Sequence, residues 1–173
     1  EGKYADFTMT EDERYELYLA GWLHDCGKVA TPPHVVDKGM KLETITDRIE
    51  TVDVRFEVLK RDAEIDMLKK QIDLMKNGTA NGEIEESENA FKEIIEKLTD
   101  EQEFIQKTNR GGEFMEEDDQ KRVSDIGNYR WVSQGEKINF LDEKEVRNLQ
   151  IPKGTLLPEE REIINDHIVI TID

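Results

Sequence analysis

The chain has 173 residues, 36% of them apolar and 38% charged, with 24 Lys plus Arg against 41 Asp plus Glu and a net charge of −17. That balance disfavours nucleic-acid polymers and anionic membrane surfaces as partners. It suits long solvated helices better than one large globule. The single cysteine excludes an internal disulfide framework and fits a reducing cytosol, so the segment is read as cytoplasmic. No apolar run approaches the roughly 20 residues of a membrane span. The chain begins at Glu1 rather than Met, so it is expected to be a piece of a longer protein, whose membrane anchoring elsewhere stays open.

In chain order, residues 1–9 read as a loop, and Thr10-x-x-Glu13 is a capping box that opens a helix. This helix carries Tyr15, Leu17, Tyr18, Leu19 and Trp22 into Leu23-His24-Asp25-Cys26-Gly27-Lys28-Val29-Ala30-Thr31-Pro32. An imidazole and a carboxylate within an apolar run need compensation. A divalent metal would supply it, and Lys28 could meet a phosphate as a point charge. The plainer reading is an Asp25–Lys28 pair at a helix end with His24 packed beside it. Pro32-Pro33 should stop the helix, and His34 after them is weighed as a further ligand but reads better as solvated.

Leu42, Ile45, Ile49, Val52, Phe56, Leu59 and Ala63 then step by 3 and 4 in alternation, a heptad seam. The seam is expected to shift and run on through Ile65, Leu68, Ile72 and Met75. Asn77–Gly82 reads as a breaker. A second apolar stripe follows at Phe91, Ile94, Ile95, Leu98 and Ile105, with a cap near Ser87 and a bend near Leu98, where Thr99-x-x-Gln102 offers another capping box. Two such helices should pack as an antiparallel hairpin, since the second supplies a matching stripe; the less favoured alternative is that residues 42–110 form an interface for a homodimer or a partner helix.

Residues 109–128 read as loop or partly helical, and the acidic run Glu113–Asp119 as a solvated face without the ligand alternation of an EF-hand. Tyr129–Val132 and Lys137–Phe140 around Ser133-Gln134-Gly135-Glu136 read as a small hairpin with Trp131 and Phe140 in its core. Asp142-x-x-Glu145 caps a short helix. Pro158 suits the first turn of a last helix, on which Ile163, Ile164 and His167 share a face. Ile168–Ile172 has strand propensity, although the helix is expected to continue.

The run Leu23–Pro32 resembles the signature of the HD superfamily of metal-dependent phosphohydrolases, above all its HD-GYP branch, which typically reads L-H-D-I-G-K-[IV]-x-[IV]-P. Gly154-Thr155-Leu156-Leu157-Pro158-Glu159-Glu160 through His167 resembles the branch's G-x-L-[ST]-x-E-E-x-x-x-[IM]-x-x-H, with Leu157 in place of Ser/Thr and Pro158 after it. The resemblance implies a mainly α, partial HD-type helical domain with an inserted antiparallel coiled-coil hairpin and a small β-containing subdomain. The expected division is 1–41 for the HD motif, 42–110 for the hairpin, 111–150 for the subdomain and 151–173 for the second HD helix. It also implies that His24, Asp25 and His167 are metal ligands, that Asp25 bridges, and that Lys28 steadies a phosphate oxygen or the attacking hydroxide, so that Asp25 and Lys28 carry the catalysis. The metal would be iron or manganese, two or more ions in a complete domain. The substrate would be a cyclic dinucleotide such as cyclic di-GMP or another phosphoester. The upstream ligand helix, the paired histidines, the following aspartate and the G-Y-P triplet of the branch do not occur here, and they would lie beyond this stretch. The segment alone is therefore expected to be inactive. The competing expectation is a regulatory or interaction module whose hairpin dimerises or transmits a signal while the HD residues are vestigial.

Overall fold

The computed structural model describes residues 7–77 and 81–172, with Asn81 and Ile172 described in their backbone alone. The described chain is mainly helical with one two-stranded antiparallel sheet. None of its helices is long and apolar enough to cross a membrane. The chain divides into two compact units, one of residues 1–37 and 157–173 and the other of residues 38–156.

The first unit opens with α1 (Glu11–Leu23), whose Thr10 accepts from the Glu13 amide at 3.2 Å while the Glu13 carboxylate accepts from the Thr10 amide at 2.7 Å. That reciprocal cap is the one the sequence spells out. No residue of α1 is buried. The helix stops at Leu23, well before the prolines, and a 3₁₀ turn (Cys26–Ala30) follows. Pro33 begins a new short helix, α2 (Pro33–Val36), because a first-turn proline has no amide to lose. Asp25 therefore sits between helices, at φ −111° and ψ 5°. At the other end of the sequence, α7 (Pro158–Asn165) and α8 (His167–Ile172) follow one another across Asp166. The β-branched tail stays helical, with Ile170 N–H donating to the Asp166 carbonyl at 3.2 Å.

The second unit is organised around α3 (Ile49–Lys76) and α4 (Asn81–Asn109), packed against each other as a helical hairpin. The expected turn at 77–82 falls partly on residues 78–80, outside the described residues. The α3 seam shifts after Ala63, as expected, but onto other residues. Half-buried Met67, Gln71 and Leu74 carry it on in steps of 4, 4 and 3, while Ile65, Leu68, Ile72 and Met75 are exposed. A polar Gln71 at a seam position obscures this phase in the sequence; its amide reaches Ser87 of α4 at 3.3 Å. Helix α4 runs unbroken through Leu98, and Thr99 donates to the Ile95 carbonyl at 2.8 Å rather than capping anything. Ser87 likewise lies inside α4 and donates to Ile84.

Seven residues before α3 the chain is not helical, yet Leu42 is fully buried there and Ile45 is 92% exposed. Buried Asn109, at the end of α4, explains the difference. Its carbonyl accepts from Lys41 N–H at 2.8 Å, its side-chain oxygen accepts from Leu42 N–H at 2.8 Å, and its amide donates to Asp47 at 2.8 Å.

The stretch expected to be loop or partly helical contains α5 (Glu117–Gly127), which buries Val123 and Ile126. Strands β1 (Arg130–Ser133) and β2 (Glu136–Asn139) pair with Ser133 opposite Glu136, so Gln134-Gly135 is a two-residue turn. Both turn residues have positive φ, 53° and 85°, as the tight right-twisted connection requires. Asp142 and Glu145 form the expected capping box on α6 (Glu143–Leu149). Residues of 42–110 and 111–150 share one core: Leu42, Val52, Phe56, Leu98, Ile105, Val123, Ile126, Phe140 and Leu149. Phe56 meets Phe140 edge-on with ring centres 4.6 Å apart. Beside them Glu145, 1% exposed, takes two hydrogen bonds from Arg55 at 2.7 and 3.1 Å.

Candidate functional site

The first unit gathers its polar groups around the Asp25 carboxylate. Lys28 Nζ donates to Asp25 Oδ2 at 2.7 Å, the spacing of one 3₁₀ turn, and this is the pair that the plainer sequence reading expects. His24 Nε2 lies 3.3 Å from the same oxygen. His167 Nε2 lies 3.5 Å from Oδ1, the other one. Residues 142 positions apart in the sequence, 25 and 167, thus face each other. The Lys28 hydrogen bond, with smaller contributions from His24 and His167, holds the Asp25 carboxyl below its usual range against a desolvation cost that pushes the other way.

Both imidazoles are anchored from behind. His24 Nδ1 is 2.7 Å from the Gly21 carbonyl, and His167 Nδ1 contacts the Ile164 carbonyl one turn back along its helix. A carbonyl only accepts, so Nδ1 carries the proton in each ring. With Nδ1 so held, each Nε2 faces the carboxylate: a protonated ring donates Nε2–H to Asp25, and a neutral ring offers a lone pair that a metal cation between them could take.

A tight backbone approach sets this geometry. Gly27 N–H donates to Thr171 Oγ1 at 3.0 Å, and Thr171 donates in turn to the His167 carbonyl at 2.7 Å. A Cβ on Gly27 would stand 2.1 Å from the His167 carbonyl oxygen and 2.6 Å from Thr171 Oγ1. Only glycine lets the 3₁₀ turn and α8 come this close.

Imidazole nitrogen and carboxylate oxygen suit a first-row transition metal in kind. The backbone-anchored Nδ1 atoms are the outer support that metal-ligating histidines use. In spacing the three groups are closed on one another; among the described residues no three or more His, Cys, Asp or Glu side chains are arranged to hold an ion as they stand. The group is also open on one side: the His167 side chain is 12% exposed, but those of Asp25 and His24 are 42% and 67% exposed. His34 is exposed on α2, and Cys26 is an exposed free thiol next to Asp25.

One notable residue has no signal in the sequence. Lys41, between Met40 and Leu42, is 2% exposed and donates to the carbonyls of Leu149 and Ile151 at 2.9 and 2.7 Å. Nothing in the local pattern distinguishes it from the solvated lysines around it.

Compared with models of known protein families, with curated proteins and with solved structures, the chain matches none.

Proposed function

We propose that the first unit carries part of the metal site of an HD-type phosphohydrolase, with His24, Asp25 and His167 as ligands. The observation that supports this reading most is that both imidazole Nε2 atoms meet the two oxygens of Asp25, while both Nδ1 atoms are held on backbone carbonyls. The metal, iron or manganese on this reading, would lower the pKa of a bound water and neutralise charge on a phosphoryl group.

The chain's own residues orient and position. The Gly21 and Ile164 carbonyls fix the two rings, and Gly27 with Thr171 keeps His167 beside Asp25. Lys28 is divided between two tasks. One N–H is spent on Asp25, which keeps that carboxylate ionised, and the side chain is 41% exposed, so its other protons can meet a phosphate oxygen. The substrate class is a phosphodiester, with cyclic dinucleotides the narrower candidate and cyclic di-GMP the first to assay.

The test is anaerobic loading with Mn²⁺ or Fe²⁺, followed by elemental analysis and a phosphodiesterase assay with bis(p-nitrophenyl) phosphate. Bound metal that is lost in both Asp25→Ala and His167→Ala supports the reading. Metal retained at full occupancy in Asp25→Ala removes it. Metal without hydrolysis is the outcome expected of a stretch that carries only part of the site.

A second reading, an interaction module, is favoured by the apolar side chains that α1 and distal α3 leave exposed: Tyr15, Tyr18 and Trp22 on one, Leu68, Ile72 and Met75 on the other. Light scattering across a concentration series separates the two, since a homodimer through the hairpin dissociates on dilution and binds no metal.

A further inference from the structure

Helix α3 carries two heptad seams. One, through Ile49, Val52, Phe56 and Leu59, is packed in the core. The other lies on a different face of the helix. It runs from Val54 and Val58 through Arg61 to Ile65, Leu68, Ile72 and Met75, in steps of 4, 3, 4, 3, 4 and 3. Two such series on one helix are the spacing of a helix that meets two neighbours. At 1.5 Å per residue the second series covers about 30 Å. It is left largely to solvent: Val54, Ile72 and Met75 are more than half exposed, Ile65 and Leu68 nearly so, and only Val58 is half-buried. A continuous apolar line of that length is more than scattered surface side chains.

The charge around this seam says what covers it. On a chain of net charge −17, α4 holds nine anions against three cations and α1 four against one, so either helix would repel its own copy. Residues 60–76 hold five cations against four anions, and here two copies can meet without that repulsion.

Orientation follows from the polar residues in and beside the seam. In a parallel pair each residue meets its own counterpart, which sets Arg61 against Arg61 and Glu57 beside Asp62 of the second copy. An antiparallel pair with Ile65 against Leu68 of the second copy removes both conflicts. Val58 then meets Met75, Arg61 meets Ile72, and Asp62 lies beside Lys69, each twice by symmetry. Arg61 can lay its methylene stem on Ile72 and keep its guanidinium in water. Lys69 can turn to Asp62 at little cost, because its contact with Asp66 of its own chain is 3.7 Å long between side chains 71% and 78% exposed.

We propose that the second seam of α3 is a homodimer interface, an antiparallel coiled coil of residues 58–75 with a second copy, registered by two Asp62–Lys69 pairs. Such a dimer rests on the interaction-module reading above and needs no residue of the Asp25 site.

The test is analytical ultracentrifugation of the full chain from about 1 to about 500 μM, in EDTA so that any metal site stays empty. The expected result is a monomer–dimer equilibrium with a dissociation constant below about 500 μM. Leu68→Asp, at an exposed position, should leave the chain folded and monomeric throughout. Asp62→Lys decides the orientation. In the antiparallel pair it brings like charges together twice and should weaken dimerisation at least about threefold. It does so although it lowers the net negative charge, which by itself favours association. In a parallel pair it would relieve Glu57 and tighten the dimer. Where Asp62→Lys fails to fold, Asp62→Asn gives the same signs at smaller size. Lys69→Glu should also weaken the dimer, and combining it with Asp62→Lys should restore the native constant to within about twofold. A chain that stays monomeric to about 500 μM overturns the proposal together with the homodimer reading. A dimer that survives Leu68→Asp, that Asp62→Lys leaves unchanged or tightens, or that the double variant does not restore overturns the proposal alone and leaves dimerisation to another face or register.

Discussion

The two units differ in what they bury. Residues 38–156 enclose Leu42, Val52, Phe56, Ile105, Val123, Ile126, Phe140 and Leu149 in one core, whereas in the first unit Val35 is the only buried apolar side chain among the described residues. The first unit is held instead by particular contacts: Gly27 against the His167 carbonyl, Thr171 between them, and Asp25 among His24, Lys28 and His167. Apolar packing supplies most folding free energy, so the second unit should carry the stability of the chain. The first carries chemistry-bearing residues on a thin support. Each prediction below strains one side of that contrast.

The largest effect is expected from Phe56→Ala. Its ring is fully buried and stacks edge-on against Phe140, so truncation should cost about 3–5 kcal/mol in urea unfolding. A loss below about 1 kcal/mol would mean that the shared core does not hold the unit. Glu145→Ala comes next. It strands Arg55, 17% exposed, without its bidentate partner and removes half of the α6 capping box, which should cost about 3 kcal/mol. Glu145→Gln keeps the shape and should recover part of that loss.

Lys41 gives a smaller effect with a defined sign. Its folded-state pKa of about 8 lies below the unfolded value, so between about pH 8 and 10.5 the unfolded chain binds more protons. Stability contributed by this residue therefore rises with pH across that window, by at most about 3 kcal/mol, and Lys41→Met should flatten the rise. A denaturation midpoint that falls steadily from pH 8 to 10 in the native chain, with the same slope in Lys41→Met, would show that Lys41 is not held charged against burial.

What the sequence discloses follows the same contrast. Signals that close within a few residues are legible: both capping boxes, the Gln134-Gly135 turn and the heptad steps of α3 depend on neighbours in the chain. What fails is set from far away. Leu42 and Ile45 have equal claims to the seam, but Asn109, 67 residues on from Leu42, pins one inside and leaves the other out. Thr99-x-x-Gln102 is as good a capping box as Thr10-x-x-Glu13, yet packing on α3 carries the helix through it; Gln102 instead reaches Asp53 and Lys60 on α3, both at 2.8 Å. The meeting of Asp25 with His167 has no periodic signature at all. It is foreshadowed only through the resemblance of two separate short runs, and Lys41 has not even that.

The smallest global effect, and the sharpest local one, should come from Gly27→Ala. The added methyl cannot share space with the His167 carbonyl, and both neighbours are backbone or tightly bonded, so the 3₁₀ turn or α8 must move. Because no large apolar surface depends on that contact, the main unfolding transition should shift by less than about 0.5 kcal/mol. The histidine ring resonances should respond strongly: His167 is held at Asp25 by this approach, while His24, anchored on Gly21, should change less. Thr171→Val, which removes the shared hydroxyl without adding bulk at Gly27, should shift the same resonance in the same direction by a smaller amount. Should Gly27→Ala instead lower the main transition by several kcal/mol, the thin unit would be supporting the thick one, and the division of labour between stability and chemistry would not hold. Unchanged His167 resonances with an unmoved transition would detach Gly27 from the site, and with it the mechanical reason for a glycine between Cys26 and Lys28.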